Sequence, residues 1–193
     1  IVNDGVTQET LKTIEVTPYR TESAYSDHRR PDKVEFTDNI LNDLKRRDFT
    51  INAIAYAPHK AELVDPFGGV ADLAKGLIRA VGNPNERFEE DGLRILRAVR
   101  LHVELDFAIE IETEEAIKGN KDILATISRE RIRDEFIRII MSDHPVIGLE
   151  KLQNLALLSH ILPELEEGIG IEQRGTHVYD VWTHLLKSLQ HAA

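Results

Sequence analysis

The stretch RFEEDGLRILRAVR, residues 87–100, carries a clear helical pattern. Leu93, Leu96 and Val99 recur every three residues, which places them on one side of a helix with 3.6 residues per turn. The opposite side, within an arc of about 120°, holds four charged residues: Glu90, Asp91, Arg94 and Arg97. The pattern therefore predicts a single amphipathic helix over about 86–104.

The charged side of this helix has two interpretations. Glu90 and Arg94 stand four residues apart in the favourable order for a salt bridge, which is typical of a solvated helix face. A carboxylate beside a guanidinium also offers the acceptor and donors that match a nucleobase edge. Arg100 projects between Leu93 and Leu96 on the apolar side, where a charge needs a buried partner or an anionic ligand. The residues alone leave both interpretations open.

A second charged segment, DLKRRDFTINAIAYAP at residues 43–58, places three cations directly before an apolar run. The cations are Lys45, Arg46 and Arg47, and Asp48 follows them. Asp48 or Thr50 would serve as an N-cap, so the segment predicts a helix over 50–55. Such a cluster needs an explanation in a chain that is acidic as a whole.

Composition limits the classes of protein that this chain can belong to. The 193 residues include 34 acidic and 24 basic residues, for a formal charge of −10, and no cysteine. Without cysteine there are no disulfides or thiolate metal sites, which fits a reducing, cytoplasmic compartment. No apolar run approaches the roughly 20 residues that span a membrane. The acidic balance argues mildly against a nucleic-acid partner, but the arginines are clustered, so we keep nucleic acid as a candidate.

The pattern changes at GNPNER, residues 82–87, where Gly82 and Pro84 end a predicted strand before a helix begins. Upstream, the sequence predicts strands at 13–17, 34–36 and 62–64, an exposed loop at 21–33, and a short helix stopped at Gly76. Downstream, it predicts helices at about 86–104, 113–118, 128–142, 145–158 and 177–191. The sequence therefore predicts an α+β part followed by an all-α part.

Two glycines, Gly68 and Gly69, follow a predicted strand in the segment DPFGGVADLAKGLIR. A double glycine can form a phosphate-binding nest, but it is more often a plain turn. We expect the polar residues around it, Asp65, Asp72 and Arg79, to cap the turn and support the structure rather than to act in catalysis.

Metal ligands are incomplete in this sequence. Glu15 would matter only if other carboxylates converged on it, and the chain contains no Asp-x-Asp pair. His177, His184 and His191 recur every seven residues. Residues at that spacing lie about 10 Å apart along a helix, too far to share one ion. We therefore expect no complete metal site from these residues.

Four blocks, in this order, carry a resemblance to a known family: LKRRDFTINAIAY, DPFGGVADLAKGLIRAVG, RFEEDGLRILRAVR and SRERIRDEF. They resemble the CCA-adding enzymes (tRNA nucleotidyltransferases) and related bacterial poly(A) polymerases, over about residues 10–140. The resemblance implies the end of a polymerase-beta-like head with a mixed sheet and helices at 1–82. It further implies a helical neck with a nucleotide-template helix at 83–142, and the start of a helical body or HD-like region at 143–193.

The resemblance also assigns roles to individual residues. Glu90, Asp91 and Arg94 match the family's Glu-Asp-x-x-Arg template motif, with Asp91 and Arg94 expected to pair with the base of CTP or ATP. The other nucleotide-binding residues that it implies are Arg47, Asp48, Arg97 and Arg100. Segment 23–33 resembles a loop linked to the switch from C to A addition. Glu15 aligns with the third acidic residue of the head, and His184 with a first ligand of an HD site.

The activity that the resemblance implies is the RNA-primed addition of CMP and AMP to tRNA 3′ ends, with CTP and ATP as substrates and Mg²⁺ as the metal. Two alternatives are a poly(A) polymerase and a non-catalytic nucleotide- or RNA-binding partner subunit. The family's Gly-Gly turn and Asp-x-Asp pair would precede residue 1. We therefore expect this chain alone to be an inactive fragment.

Partner expectations follow from the same resemblance. We expect tRNA to contact Arg129, Arg131 and Arg133, mostly through phosphate and shape. The competing interpretation is salt bridging within a helix, for instance between Arg131 and Glu135. A homodimer is one option for the oligomeric state, and we expect no membrane partner.

Overall fold

The computed structural model describes residues 16–23, 33–172 and 178–192. Its strands are β1 (Arg20–Ser23), β2 (Lys33–Phe36), β3 (Ala55–Ala57), β4 (Glu62–Val64), β5 (Leu77–Ile78) and β6 (Ala108–Ile109). Its helices are α1 (Ile40–Lys45), α2 (Gly69–Lys75), α3 (Pro84–Glu90), α4 (Leu93–Leu105), α5 (Ile111–Asn120), α6 (Arg129–Ile140), α7 (Pro145–Asn154), α8 (Leu158–Ile161), α9 (Pro163–Glu166) and α10 (Val181–Ala192). Short 3-10 helices form at Thr50–Asn52 and Lys121–Thr126.

Helix α4 lies at the centre of the main hydrophobic core. Its apolar residues Ile95, Leu96 and Val99 are fully buried. Buried residues of later helices, among them Ile139 and Leu152, belong to the same cluster. A smaller cluster upstream joins Leu44, Ala53 and Val81. The apolar stripe that predicted the helix is therefore the surface on which the other helices pack.

The described strands form three separate two-stranded sheets. Strands β1 and β2 pair antiparallel, as do β3 and β4, whereas β5 and β6 pair parallel. The β5–β6 pair joins Leu77 to Ala108 across α3 and α4. A single antiparallel bridge joins Phe49 to Ala80. These two pairings hold the charged 43–58 segment beside α4.

The prediction of one helix over 86–104 is wrong, because the helix is interrupted between α3 and α4. Asp91 has an extended backbone (φ −144°, ψ 103°) and ends α3. Its carboxylate accepts a hydrogen bond from the Leu93 backbone N–H at 3.1 Å. Gly92 packs so closely that a Cβ there would lie 2.5 Å from a methyl carbon of Ile123. Asp91 therefore does not share one helical arc with Arg94 and Arg97.

The prediction of a helix over 50–55 is also wrong. The segment forms only a 3-10 turn at Thr50–Asn52, and strand β3 begins at Ala55. The backbone N–H of Thr50 donates to the Arg79 carbonyl oxygen at 2.9 Å, and the Val81 backbone N–H donates to the Asp48 carbonyl oxygen at 3.0 Å. Pairing with 79–81 keeps the backbone extended, so an α-helix cannot start at Asp48.

The remaining boundaries agree in part. Strands at 34–36 and 62–64 are confirmed, and so is the short helix before Gly76. The prediction of a loop from residue 21 is wrong for residues 21–23, which belong to β1 because they pair with β2. Residues 13–15 and 24–32 lie outside the described residues. The helix predicted over 145–158 ends at Asn154, since Ala156 adopts a positive φ of 54° before α8.

Candidate functional site

A polar cleft of about 630 Å³ opens between the 46–52 segment and one face of α4. Six arginines and two carboxylates line it, together with one amide and one leucine: Arg46, Arg47, Arg94, Arg97, Arg100, Arg138, Asp48, Glu104, Asn52 and Leu101. The cleft therefore concentrates positive charge in a chain whose formal net charge is −10. Such a surface favours an anionic ligand.

Asp48 and Arg97 join the two walls of the cleft. Nε and Nη2 of Arg97 both donate to Oδ2 of Asp48, at 2.8 and 2.6 Å. The other oxygen of Asp48 accepts from the Phe49 backbone and from the Asn52 amide. Burial raises the pKa of the Asp48 carboxyl, but Arg97 outweighs it and holds that pKa below its usual value. Asp48 is therefore an ionised anchor for Arg97.

Arg46 and Arg47 share a buried carboxylate, Asp43. Arg46 donates to Oδ1 of Asp43 at 2.6 Å, and Arg47 donates to Oδ2 at 3.2 Å. Burial raises the pKa of Asp43, yet hydrogen bonds from Arg46 and its charge bring that pKa below the usual value. Arg47 also donates to the Asn52 carbonyl oxygen, and its side chain stays 42% exposed. The charge of Arg47 is therefore accessible from the cleft.

Arg94 is fixed by three acceptors. Nη1 donates to Glu90 at 2.7 Å and to the Arg87 carbonyl oxygen, while Nη2 donates to the Arg46 carbonyl oxygen. The Glu90–Arg94 pair predicted from the sequence is confirmed. Glu90 also pairs with Arg87. Glu90 is not among the residues that line the cleft, but it orients Arg94, which is.

Arg100 has the buried partner that its position on the apolar side requires. Its Nη1 donates to both oxygens of Glu135 on α6, at 2.9 and 2.8 Å, and the two side chains are only 6% and 10% exposed. Burial lowers the pKa of Arg100, Glu135 opposes that shift, and the charges of Arg97 and Arg138 lower the pKa further. The residual repulsion among these arginines would be relieved by an anion.

Asp91 lies beside the cleft and bonds to α6. Nη2 of Arg131 donates to both oxygens of Asp91, at 3.2 and 2.9 Å. The predicted salt bridge between Arg131 and Glu135 is therefore wrong, because Arg131 pairs with Asp91 and Glu135 with Arg100.

Burial lowers the pKa of Arg97, but Asp48 and, more weakly, Glu135 and Asp91 raise it above its usual value.

The structure thus brings most of the predicted nucleotide-binding residues together. Five of them line the cleft: Arg47, Asp48, Arg94, Arg97 and Arg100. Glu90 and Asp91 flank it through their arginine partners. Glu15 lies outside the described residues. His184 is on α10 and is not among the residues that line the cleft. In the described ranges, no group of three or more histidine, aspartate or glutamate side chains could hold a metal ion.

Sequence reasoning missed several residues of the cleft. Arg46, Glu104 and Arg138 line it, and Arg131 holds Asp91. Arg138 donates to Glu104 at 2.9 Å from α6. The amphipathic pattern of 128–142 could have indicated this contact, because the apolar side of that helix packs on α4. The charged flanks of two packed helices then meet.

Asp72 and Asp65 have the structural roles expected of them. The Asp72 carboxylate accepts from Thr50 at 2.7 Å and pairs with Arg79. Asp65 accepts from the backbone of Gly69 and Val70 at the start of α2. Hydrogen bonding from Arg79 lowers the pKa of Asp72 against the effect of burial. This cluster supports the 3-10 turn that follows Asp48.

None of the described helices is long and apolar enough to cross a membrane.

Comparison with known proteins places these residues in a family. Residues 3–79 match the model described as the Poly A polymerase head domain. Residues 106–169 match the model described as a probable RNA and SrmB- binding site of polymerase A. A CCA-adding enzyme of Ligilactobacillus salivarius is 46% identical over 165 residues, which cover 82% of this chain and 41% of that protein. The chain belongs to the family of CCA-adding enzymes and bacterial poly(A) polymerases.

Solved structures of this family have the same fold. The Bacillus stearothermophilus CCA-adding enzyme in complex with CTP matches with a TM-score of 0.70 and 36% identity, over 80% of this chain and 37% of that one. The Thermotoga maritima CCA-adding enzyme complexed with tRNA_CCA matches with a TM-score of 0.61 and 35% identity, over 65% and 31%. The chain spans about two fifths or less of the length of the curated relatives that it matches first.

Proposed function

We propose that the arginine-lined cleft binds CTP and ATP, and that the protein adds CMP and AMP to the 3′ ends of tRNA. The observation that carries this proposal is the set of six arginines in one cleft of an acidic chain. Family membership supports it, since a relative of similar fold is described in complex with CTP.

Base selection falls to Asp91 and Arg94 in this proposal. Cytosine and adenine each carry an amino group beside a ring nitrogen, so Asp91 accepts from the first and Arg94 donates to the second. Of the five N–H groups of a guanidinium, Arg94 uses three on Glu90, Arg87 and Arg46, which leaves two for a base. At the equivalent position, uracil and guanine carry a carbonyl oxygen beside a protonated ring nitrogen. A carboxylate repels that oxygen, and a guanidinium finds no acceptor on that nitrogen.

The other arginines serve the triphosphate. In the transfer, the tRNA 3′ oxygen bonds to the α-phosphorus and pyrophosphate leaves with the charge of the broken bond. Arg47, whose side chain is 42% exposed, can donate to that phosphate without giving up burial. Arg97 and Arg138 add positive charge along the same cleft. Developing negative charge is thereby met by fixed cations.

A nucleotide titration tests the proposal. Calorimetry should show CTP and ATP binding, with UTP and GTP weaker by about tenfold or more, the range of one lost base contact. Arg97→Leu should abolish binding, because it removes a cleft cation and frees Asp48 to repel phosphate. Arg133→Ala is the matched control, since Arg133 is 64% exposed and pairs only with its neighbour Asp134 among the described contacts. Equal binding of all four nucleotides would contradict the proposal.

The same titration separates the alternatives. Binding of ATP alone would favour a poly(A) polymerase, and binding without incorporation into tRNA lacking its 3′ end would favour a nucleotide-binding partner subunit. The described residues do not supply a ligand set for Mg²⁺, so a magnesium requirement stays a prediction from the family resemblance. The homodimer and the cytoplasmic location also stay predictions.

Contact with tRNA is proposed for the exposed face of α6. Arg129 and Arg133 lie within the residues matched by the RNA-binding model. Arg129 donates to the His160 carbonyl oxygen, which leaves most of its guanidinium for phosphate. Arg131 is excluded from this role, because it faces Asp91.

A further inference from the structure

Arg131 gives the Asp91 carboxylate a fixed orientation from outside the nucleotide motif. Its Nη2 lies 3.2 Å from Oδ1 and 2.9 Å from Oδ2 of Asp91. The Leu93 backbone N–H adds a third hydrogen bond, to Oδ1 at 3.1 Å. The carboxylate is therefore held on one side by helix α6 and on the other by the start of helix α4.

These contacts use most of the accepting capacity of the carboxylate. An ionised carboxylate has about four lone-pair sites, and the three hydrogen bonds occupy three of them. One acceptor position remains, on Oδ2, because Oδ1 already has two donors. A single acceptor in a fixed direction selects for a donor of matching position, such as one exocyclic amino group.

The placement of Arg131 is not explained by its own hydrogen bonding. Within the described part of the chain, its Nη1 is buried and has no hydrogen-bond partner. A buried donor without a partner destabilises a fold. Neighbouring Arg129 and Arg133 instead point to a carbonyl oxygen and to an adjacent carboxylate at the surface. The role of Arg131 is therefore to be sought at Asp91.

We infer that Arg131 is a positioning residue that sets the nucleotide selectivity of the cleft. It acts through Asp91, keeping the carboxylate in the one orientation that accepts from cytosine or adenine and repels a carbonyl oxygen. Without Arg131, the carboxylate rotates about its side-chain bonds while Leu93 still binds one oxygen. Either oxygen then meets the base, and water fills the remaining positions. The inference rests on the proposed function, because it assumes that Asp91 faces the base.

The test compares dissociation constants for CTP, ATP, UTP and GTP across variants of the full chain. Arg131→Gln should reduce the ratio of the UTP dissociation constant to the CTP dissociation constant by about tenfold. A change of this size is within the range of interaction energies between neighbouring residues. Arg131→Lys keeps the charge but not the forked geometry. Its ratio of dissociation constants should lie between those of the unchanged chain and Arg131→Gln. Lys118→Gln, at an exposed cation of helix α5 that pairs with Glu114, is the matched control and should leave the ratio unchanged.

A purely structural brace would give a different result. It would lower the unfolding temperature and the affinity for all four nucleotides together, leaving their ratios as in the unchanged chain. An Arg131→Gln chain that folds and discriminates normally overturns the inference. If Arg131→Gln does not fold, Arg131→Lys decides, and an unchanged ratio there overturns the inference equally.

The proposed function and the role of Arg131 can be overturned separately. If the unchanged chain does not distinguish CTP from UTP, the proposed function itself is wrong. If it distinguishes them and the Arg131 variants do so equally well, only the role of Arg131 is wrong. An Asp91→Asn variant completes the cycle. Adding Arg131→Gln to it should change the ratio no further, because the residue through which Arg131 acts is already altered.

Discussion

The cleft is built by single residues that bond across long sequence distances. Asp48 and Arg97 stand 49 residues apart and still share two hydrogen bonds. The sequence predicted both residues for the nucleotide site, but only as separate members of two motifs. Their pairing could not be predicted, because nothing in the local pattern tells which cation a buried carboxylate meets. At this scale, the sequence predicted the local pair Glu90–Arg94, whereas the partners that lie far apart in the chain could not be predicted.

Asp48→Asn should lower the free energy of unfolding by about 1–3 kcal/mol at pH 7, because Arg97 loses its charged acceptor. The folded pKa of Asp48 is lowered, so its contribution is present above the unfolded value near 3.9 and is lost as the pH falls through the folded value. Urea unfolding at pH 7 and at pH 3 measures this. A difference between variant and parent that stays constant between these pH values would contradict the assignment.

Helices α3 and α4 show where pattern reasoning fails at the scale of an element. Heptad-like spacing predicted the apolar face of α4 correctly, since Ile95, Leu96 and Val99 are fully buried. The charged residues Glu90, Asp91 and Arg94 extended the helical period across Gly92 and concealed the break there. Asp followed by Gly is a turn signal, but here it competes with a strong helical period. The close packing of Gly92 on Ile123 decides between the two. That contact belongs to the tertiary structure and is invisible in a window of local sequence.

Gly92→Ala should destabilise the protein by about 1–3 kcal/mol, because the added methyl overlaps Ile123. Gly119→Ala is the matched control within helix α5, where an added Cβ meets no atom within 4 Å. The control should be neutral or stabilise by up to about 1 kcal/mol. Thermal unfolding of both variants checks the pair. Equal midpoints would show that the break does not depend on close packing at Gly92.

Packing of α4 on α6 includes the buried pair of Arg100 and Glu135. Glu135→Leu alone should cost about 3–5 kcal/mol, because the buried Arg100 loses the carboxylate that accepts from its Nη1 and keeps only the longer contact with Glu104. The double variant Arg100→Met/Glu135→Leu should recover most of that loss, since apolar side chains of similar volume fill the same space. Denaturant midpoints of the single and double variants measure the coupling. Additive losses would argue that the two residues act independently.

For the molecule as a whole, charge is distributed unevenly. The formal net charge is −10, yet the cleft holds six arginines against two carboxylates. The acidic remainder repels polyanions from most of the surface, and the cleft attracts them. Net charge alone argued against a nucleic-acid partner, and the clustering of arginines argued for one. Family membership supports the second argument, and the proposed function therefore follows the local charge rather than the net charge.

CTP binding should weaken by about tenfold or more when NaCl rises from 50 to 500 mM, because electrostatic attraction into the cleft is screened. Cytidine, which has no phosphate, is the control ligand and should bind with little dependence on salt. Calorimetry at several salt concentrations measures both. If salt weakened the two ligands equally, the cleft arginines would not be contacting phosphate.

The pairing of Arg100 with Glu135 has a consequence for synthesis of the protein on the ribosome. The two residues are 35 positions apart, so Arg100 is made well before its acceptor. At about 5–20 residues per second, that interval is about 2–7 s. During it, the only described carboxylate partner of Arg100 is Glu104 on the same helix, and the charge on the core side of α4 lacks its buried acceptor. We therefore expect the arginine-lined cleft to close fully only after α6 has left the exit tunnel, so that translation sets the order in which its walls meet.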